Sequence, residues 1–348
     1  MLRDHVEWKW IETFAHVFQL CKVEPGEVVA ILSESQSRQI NVQLAELALH
    51  KLGARPFHIV IPTPPAEAPV PVRSTGSSHA IQGLAPVLAA LTKATFIVDC
   101  SVEGIMHAPE TPQILGAGSR ALYVSNEHPE ALERLRTDAA LFPKVQHGRE
   151  LLMATRMMRV TSRAGTDLSI RLEGARVGGN FGAAFKAGQL ASWPGGICSC
   201  FPPAHSVNGV LVLDEGDINL TFKRYLAKPV RLVIEDDFVT RIEGEGLDAE
   251  LMRSYFAAWG DREAYGVSHV GWGINPGARW DALVMYDKAE VNGTEQRAYA
   301  GNFLYSTGAN PSAGRHTLGH FDLPVRGCTI QLDGRAVVVD GALQGELA

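Results

Sequence analysis

Two short stretches of the 348-residue chain gather side chains able to do chemistry. The first is Tyr265-Gly266-Val267-Ser268-His269-Val270-Gly271-Trp272-Gly273-Ile274-Asn275-Pro276, a histidine set among glycines and an indole. The second is His316-Thr317-Leu318-Gly319-His320-Phe321-Asp322-Leu323-Pro324. In an extended segment, side chains two positions apart point to the same face, so His320 and Asp322 can converge on one point. One more histidine would complete the two-His-one-carboxylate set that holds Fe(II) with positions left open for substrate and dioxygen. His269 is the candidate, because glycines around it permit close backbone approach. A His-x-Asp spacing also arises by chance, so it does not make a metal site alone. His316 could pair with His320 only on a helix, which Gly319 and Pro324 oppose.

The elements that must position these residues fall into two patterns. From residue 5 to about 157, helical and strand periods alternate. Trp10, Ile11, Phe14, Val17, Phe18 and Cys21 recur at helical spacing, and Val28 to Leu32 is a short apolar run of the kind found in buried strands. A helix over Asn41 to Leu52 stops at Gly53, and Phe57 to Ile61, Phe96 to Asp99 and Ala121 to Ser125 read as further strands, with Pro129 to Arg136 helical. Such alternation predicts right-handed crossovers and a parallel sheet covered on both faces. The proline-rich stretch Pro62 to Ser78 reads as a surface loop.

After residue 157 the segments shorten. Val160 to Arg163 and Leu168 to Leu172 flank one turn, Val210 to Leu213 precedes another, and Val230 to Ile234 and Val239 to Ile242 flank a third. These predict antiparallel hairpins, interrupted by a helix over Asp248 to Trp259, with Ala336 to Val339 a late strand. The expected organisation is an α/β domain with a parallel sheet over residues 1–157, followed by a β-rich α+β domain over 158–348 that bears the metal.

Composition narrows the function. With 32 basic against 38 acidic side chains and no long Lys/Arg block, phosphate backbones are poor partners, so no nucleic acid is expected. No run approaches the roughly 18 apolar residues of a membrane span, which predicts a soluble, cytoplasmic protein with no membrane partner. No Gly-x-Gly-x-x-Gly follows the first strand, where Leu32-Ser33-Glu34-Ser35-Gln36-Ser37 stands, and no Walker-type Gly-Lys-Ser/Thr occurs. Five cysteines show no two-residue spacing; Cys198 and Cys200 share a strand face but read as buried thiols.

Tyr265 to Trp280, Gly301-Asn302-Phe303-Leu304-Tyr305-Ser306-Thr307-Gly308 and His320 to Pro324 together resemble the 2,5-dihydroxypyridine 5,6-dioxygenase family of nicotinate degradation. The resemblance continues through Gly209 to Asp214 and His107-Ala108-Pro109-Glu110, covering most of the chain. That family is similar in fold to the M29 metallo-aminopeptidases, with which Ala164-Gly165-Thr166-Asp167-Leu168 is a shared signature. A two-metal peptidase needs several carboxylates. Where such peptidases carry two of theirs, this chain has Ile197 and His269, which suits one ferrous ion better than two zinc ions.

The resemblance implies His269, His320 and Asp322 as Fe(II) ligands and His107 and Ser306 beside the substrate, where Trp193 and Thr307 are also placed. It implies an aromatic substrate and O2 as partners, incorporation of both oxygen atoms, N-formylmaleamate as product and a homo-oligomer. Two positions depart from the family pattern. Ser192 stands where the family has an acid–base histidine, and Asn180 where it has a glutamate. A serine cannot hold a proton near neutral pH, which leaves His107, His205 or His316 to move protons, or a substrate that needs different help. An M29-like hydrolase and a non-catalytic homologue that binds a small molecule are the competing readings.

Overall fold

A computed structural model describes residues 5–70 and 78–348. The first half comprises α1 (Trp8–Leu20), β1 (Val28–Glu34), α2 (Gln39–Lys51), β2 (Arg55–Ile61), α3 (Ala85–Lys93), β3 (Phe96–Asp99), α4 (Thr111–Gly116), β4 (Arg120–Val124), α5 (Pro129–Arg134) and α6 (Leu141–Ala154). Then follow β5 (Met157–Ser162), β6 (Asp167–Arg171), β7 (Arg176–Asn180), β8 (Leu190–Trp193), β9 (Ile197–Phe201) and β10 (Val207–Leu213). A short ribbon, β11 (Ile218–Asn219) and β12 (Arg224–Tyr225), leads to β13 (Val230–Glu235), β14 (Phe238–Glu243) and α7 (Leu247–Ala258). The chain closes with β15 (Val267–Gly273), α8 (Thr294–Ala298), β16 (Phe303–Asn310), β17 (Arg315–Val325), β18 (Cys328–Leu332), β19 (Arg335–Val339) and β20 (Ala342–Leu343).

The apolar runs of the first half form a parallel sheet in the order β2-β1-β3-β4-β8. Alternate residues of β1 enter opposite cores, as the twofold period of a strand demands. Val29 and Ile31 pack with Phe14, Phe18 and Leu44 of α1 and α2, while Ala30 and Leu32 pack with Leu91 of α3 and Ile114 of α4. Gly53 takes a positive φ of 75° just past α2, where a side chain would be strained. Strand order reverses between β1 and β3, and a loop beyond the carboxyl end of such a pair is a common place for a ligand. The boundary expected at 157/158 is crossed by one strand, since β8 returns to lie parallel beside β4. Residues 62–70 form neither helix nor strand, consistent with the loop read over Pro62 to Ser78; its residues 71–77 lie outside the described residues.

Two antiparallel sheets follow, β14-β13-β10-β6-β5-β18-β19-β20 and β17-β16-β15-β9-β7. Met158, Val160, Leu168, Ile170, Leu211 and Leu232 of the larger sheet share one core with Val270, Trp272, Tyr305, Phe321 and Leu323 of the smaller. The smaller sheet therefore turns one face to this core and the other toward the parallel sheet's loops. Cys198 and Cys200 lie in that core, and burial pushes each thiol up to about 12, so they are protonated thiols at neutral pH. Among the described residues no helix is long and apolar enough to cross a membrane.

Close backbone packing under the smaller sheet depends on Gly271. A Cβ there would lie 1.9 Å from the Cys198 carbonyl oxygen, a backbone atom of β9 that cannot swing aside. Gly271→Ala is expected to destabilise the fold by about 1–3 kcal/mol, as overpacking does. Urea titration checks this, and an unchanged midpoint would show that the strands can part.

Candidate metal centre

β17 is an edge strand, where Pro324 removes no ladder bond that another strand needs. In its register with β16, Ser306 lies opposite Asp322 and Gly308 opposite His320, so His320, Asp322 and Ser306 share one face. Thr307 and Phe321, paired across the same strands, take the other face, and Phe321 packs against Tyr255 and Phe256. His269 reaches the site through a bulge. Val267 pairs with Thr307 and Val270 with Tyr305, so Ser268 and His269 together face the single residue Ser306. The extra residue keeps both valines in the core while re-aiming the imidazole.

His107 arrives from the other direction, on the loop after β3 at the switch point of the parallel sheet. Its ring is 4.8 Å from that of His320 and lies 6.3 Å from that of His269, stacked nearly parallel to it at 8°. One potential donor atom from each of His107, His269 and His320 lies within 4.8 Å of the other two. Asp322 Oδ1 is 3.3 Å from His320 Nε2 and 3.5 Å from His269 Nε2. Cis donors on one metal with bonds of about 2.1 Å stand roughly 3 Å apart, so these separations are close to what a shared ion requires.

Hydrogen bonding sets the roles. Ser306 Oγ donates to Asp322 Oδ1 and lies 3.3 Å from His269 Nδ1. The hydroxyl has one proton and spends it on the carboxylate, so it accepts from His269 Nδ1–H, and the lone pair of that ring is on Nε2, facing Asp322. A ring nitrogen lone pair aimed at a carboxylate oxygen is repulsive unless a cation lies between them. His320 Nδ1 is buried without a partner among the described residues, another lone pair or N–H unsatisfied. The residues present thus fit a divalent metal ion.

Arg297 on α8, which no motif marks, donates from Nε to Asp322 Oδ2 and leaves Oδ1 to the imidazoles. Burial is the strongest influence on Asp322 and opposes its ionisation, but Arg297 and the imidazoles of His320 and His269 hold its carboxyl well below the usual range. Burial lowers His269 to about 4, against the pull of Asp322, and lowers His107 well below its ordinary value with help from His320 and His269. Both imidazoles are therefore neutral at pH 7 and able to ligate.

These shifts predict acid sensitivity of the metal-free chain. Unfolded His269 takes a proton below about pH 6.5 that the folded ring refuses until about pH 4, so stability is full above about 6.5 and falls as pH drops between those values. Asp322, depressed in the fold, contributes stability above the unfolded carboxyl value of about 3.9 and loses it as pH falls through its lower folded value. Thermal melts followed from pH 7.5 to 4 should show Tm declining from near pH 6.5. A flat Tm down to pH 5 would refute the assignment for His269.

The structure does not bring every predicted site residue to this point. Trp193 is fully buried in the core of the parallel sheet, edge-on to Phe14 at 4.8 Å, with its indole N–H donated to the Leu135 carbonyl at 2.9 Å. Along β8 the twofold period sends Trp193 to the side of α1 and Ser192 to the other, so the indole serves packing rather than a ligand. Thr307, on the face of β16 shared with Phe321, is turned away from the imidazoles. Ser192 receives a 2.7 Å hydrogen bond from Asn180 Nδ2, so these two residues touch each other. His205 is exposed and paired with Asp236 at 2.7 Å, and His316 is exposed, so of these three histidines it is His107 that lies with His269 and His320.

The layers and strand order define an M29-metallopeptidase-like fold, here carrying one histidine-rich donor set. Over 97% of the chain it superposes on AmpT from Thermus thermophilus at TM-score 0.60 and 12% identity, covering 99% of that structure. The chain belongs to the 2,5-dihydroxypyridine 5,6-dioxygenase (NicX) family, whose profile matches residues 9–345. It is 36% identical over 334 residues to the 2,5-dihydroxypyridine 5,6-dioxygenase of Pseudomonas putida KT2440, covering 95% of this chain and 94% of that one. The solved structure of 2,5-dihydroxypyridine dioxygenase from Pseudomonas putida KT2440 matches with TM-score 0.91 and 35% identity, over 97% of this chain and 98% of that one.

Proposed function

We propose that this chain is an Fe(II)-dependent, ring-cleaving extradiol-type dioxygenase in which His269, His320 and Asp322 hold the metal. The substrate is 2,5-dihydroxypyridine or a closely related hydroxylated N-heterocycle, and with 2,5-dihydroxypyridine the product is N-formylmaleamate, as in nicotinate degradation. The observation that carries this reading is the convergence of Asp322 Oδ1 on two imidazole nitrogens at 3.3 and 3.5 Å, with Arg297 occupying the other carboxylate oxygen. Fe(II) bound there would supply adjacent open positions for a substrate oxygen and for dioxygen, and the redox path between them.

The chain's own residues do the rest. Asp322 is kept ionised by Arg297, so the donor set carries a formal negative charge to match the metal. Ser306 fixes the ring of His269 and donates to Oδ1 of Asp322, an orientation that supports ligation. His107 is neutral at pH 7 and faces the other imidazoles without a hydrogen bond to Asp322, so it can accept the substrate's hydroxyl proton. Ser192 and Asn180 can orient a polar ring substituent but cannot store a proton.

Anaerobic loading with Fe(II), followed by oxygen-electrode assays over hydroxypyridines and hydroxybenzoates, tests the reading. Oxygen uptake with 2,5-dihydroxypyridine and formation of N-formylmaleamate is expected. Peptide cleavage with zinc and no oxygen uptake would turn the assignment to a hydrolase; ligand binding with no uptake on any ring would mark a silent homologue. His107→Ala should retain iron while turnover falls, and loss of iron in that variant would make His107 a ligand.

A further inference from the structure

Asp322 is useful as a ligand only if Arg297 stays on its outer oxygen, and Arg297 sits on α8, a helix of five residues. So short a helix has no stability of its own. Asn302 Nδ2 donates to the Arg297 carbonyl at 2.9 Å and Arg134 pairs with Glu295, while the entry to the helix is held by a buried carboxylate from the loop after β4. Glu127, on the connection between β4 and α5, accepts the backbone N–H groups of Asn292 at 2.8 Å, Gly293 at 2.9 Å and Thr294 at 3.1 Å. It is 3% exposed, so these bonds are poorly screened; burial raises its carboxyl and the three N–H groups act to lower it.

Neighbouring contacts bind the same two segments. Ser125 Oγ meets Thr294 Oγ1 at 2.6 Å, and Asn292 Nδ2 donates to Ser125 Oγ at 3.1 Å and to Tyr123 Oη at 3.2 Å. The Asn292 carbonyl, whose own N–H is gripped by Glu127, in turn accepts from Arg297 Nη1 at 3.3 Å. Carboxylate, backbone, guanidinium and ligand thus form one chain of contacts from the parallel sheet to the metal centre.

We infer that Glu127 is a positioning residue for the metal centre, gripping the backbone of 292–294 so that α8 aims Arg297 at the outer oxygen of Asp322. The inference rests on the reading of Asp322 as a ligand. Without that grip the entry to α8 loses three bonds, Arg297 leaves its line with Asp322, and Oδ1 is no longer singled out for the ion. Glu127 touches neither the metal nor the substrate, so its effect must pass through Arg297.

A double-mutant cycle read by metal affinity tests this. Fe(II) is titrated anaerobically into wild type, Glu127→Gln, Arg297→Lys and the double variant, with Tm recorded for each. Loss of an outer-shell partner typically weakens metal binding about 10–100-fold, the range expected for Arg297→Lys. Glu127→Gln, one contact further out, should weaken it by about 3–10-fold, below that range. The double variant should bind no more weakly than Arg297→Lys alone. Full affinity in Glu127→Gln, or losses that add, would overturn the inference, since a purely structural carboxylate would lower Tm independently of Arg297. If Glu127→Gln does not fold, Glu127→Asp keeps the charge with a shorter reach and is read in the same cycle, where undiminished affinity overturns the inference. Asp322→Asn is measured alongside. Wild-type affinity there would refute the ligand reading itself, whereas loss there with full affinity in the Glu127 variant would refute only the positioning role.

Discussion

Asp322→Ala is expected to lose bound iron on gel filtration and to show no oxygen uptake with any hydroxypyridine. Removing an outer-shell partner of a metal ligand weakens affinity by about 10–100-fold, and removing a ligand itself should exceed that. Two further costs arise here. The guanidinium of Arg297 is left buried without the carboxylate it bonds, and the hydroxyl of Ser306 loses its acceptor. The variant therefore presents a cation to an incoming cation. His320→Ala should also lose iron but keeps the Asp322–Arg297 pair, so its melting temperature should stay nearer the wild type. Full iron occupancy in both variants would remove them from the ligand set. Occupancy kept in Asp322→Ala alone would leave the three imidazoles of His107, His269 and His320 as the metal ligands.

The part of this site that was legible in the sequence is the part that local periodicity governs. The spacing of His320 and Asp322 is a statement about alternation along an extended strand, and β17 is extended there. The same rule places Thr307 on the opposite face from Ser306, because adjacent residues of a strand cannot both face one ligand. Trp193 is one residue beyond Ser192 on β8, and the same alternation turns it into the core of the parallel sheet. His269 needed more, since its orientation depends on a bulge in the pairing of β15 with β16, and no pattern within Val267 to Val270 announces an extra residue.

Long-range contacts were the least legible. Arg297 and Glu127 are 25 and 195 positions from Asp322, in segments with no periodic or motif signal, and they matter only because β4 and α8 meet in the fold. The parallel sheet followed from its apolar runs, but β8 has four residues and gave no comparable run, so the return of the chain to that sheet went unread. α6 likewise carries Pro143 and Gly148, both poor helix formers. Gly148 lies where a Cβ would come 2.4 Å from Cys198 Sγ, so tight packing overrides propensity there.

Arg297→Met should be the most destabilising of the variants that leave His269, His320 and Asp322 in place. Breaking a buried ion pair from one side leaves an uncompensated charge, typically at a cost of about 3–5 kcal/mol. Asp322 is 4% exposed and cannot recover hydration without moving. The pH dependence identifies the cause. In the wild type Arg297 and the imidazoles outweigh burial and depress the carboxyl, whereas without the guanidinium the largest influence opposing burial is gone and the carboxyl rises above its wild-type value. The variant's deficit is then largest at neutral pH, where Asp322 is forced to be charged or to take up a proton. It shrinks as pH falls through the raised value of that carboxyl, because the protonated acid no longer needs a partner. A bound divalent ion supplies the missing positive charge, so metal should narrow the gap between variant and wild type at pH 7. Denaturant titrations at pH 7 and 4.5, with and without metal, measure both effects. A deficit equal at the two pH values, or one below about 1 kcal/mol as for an exposed pair, would show that Arg297 does not hold Asp322 ionised.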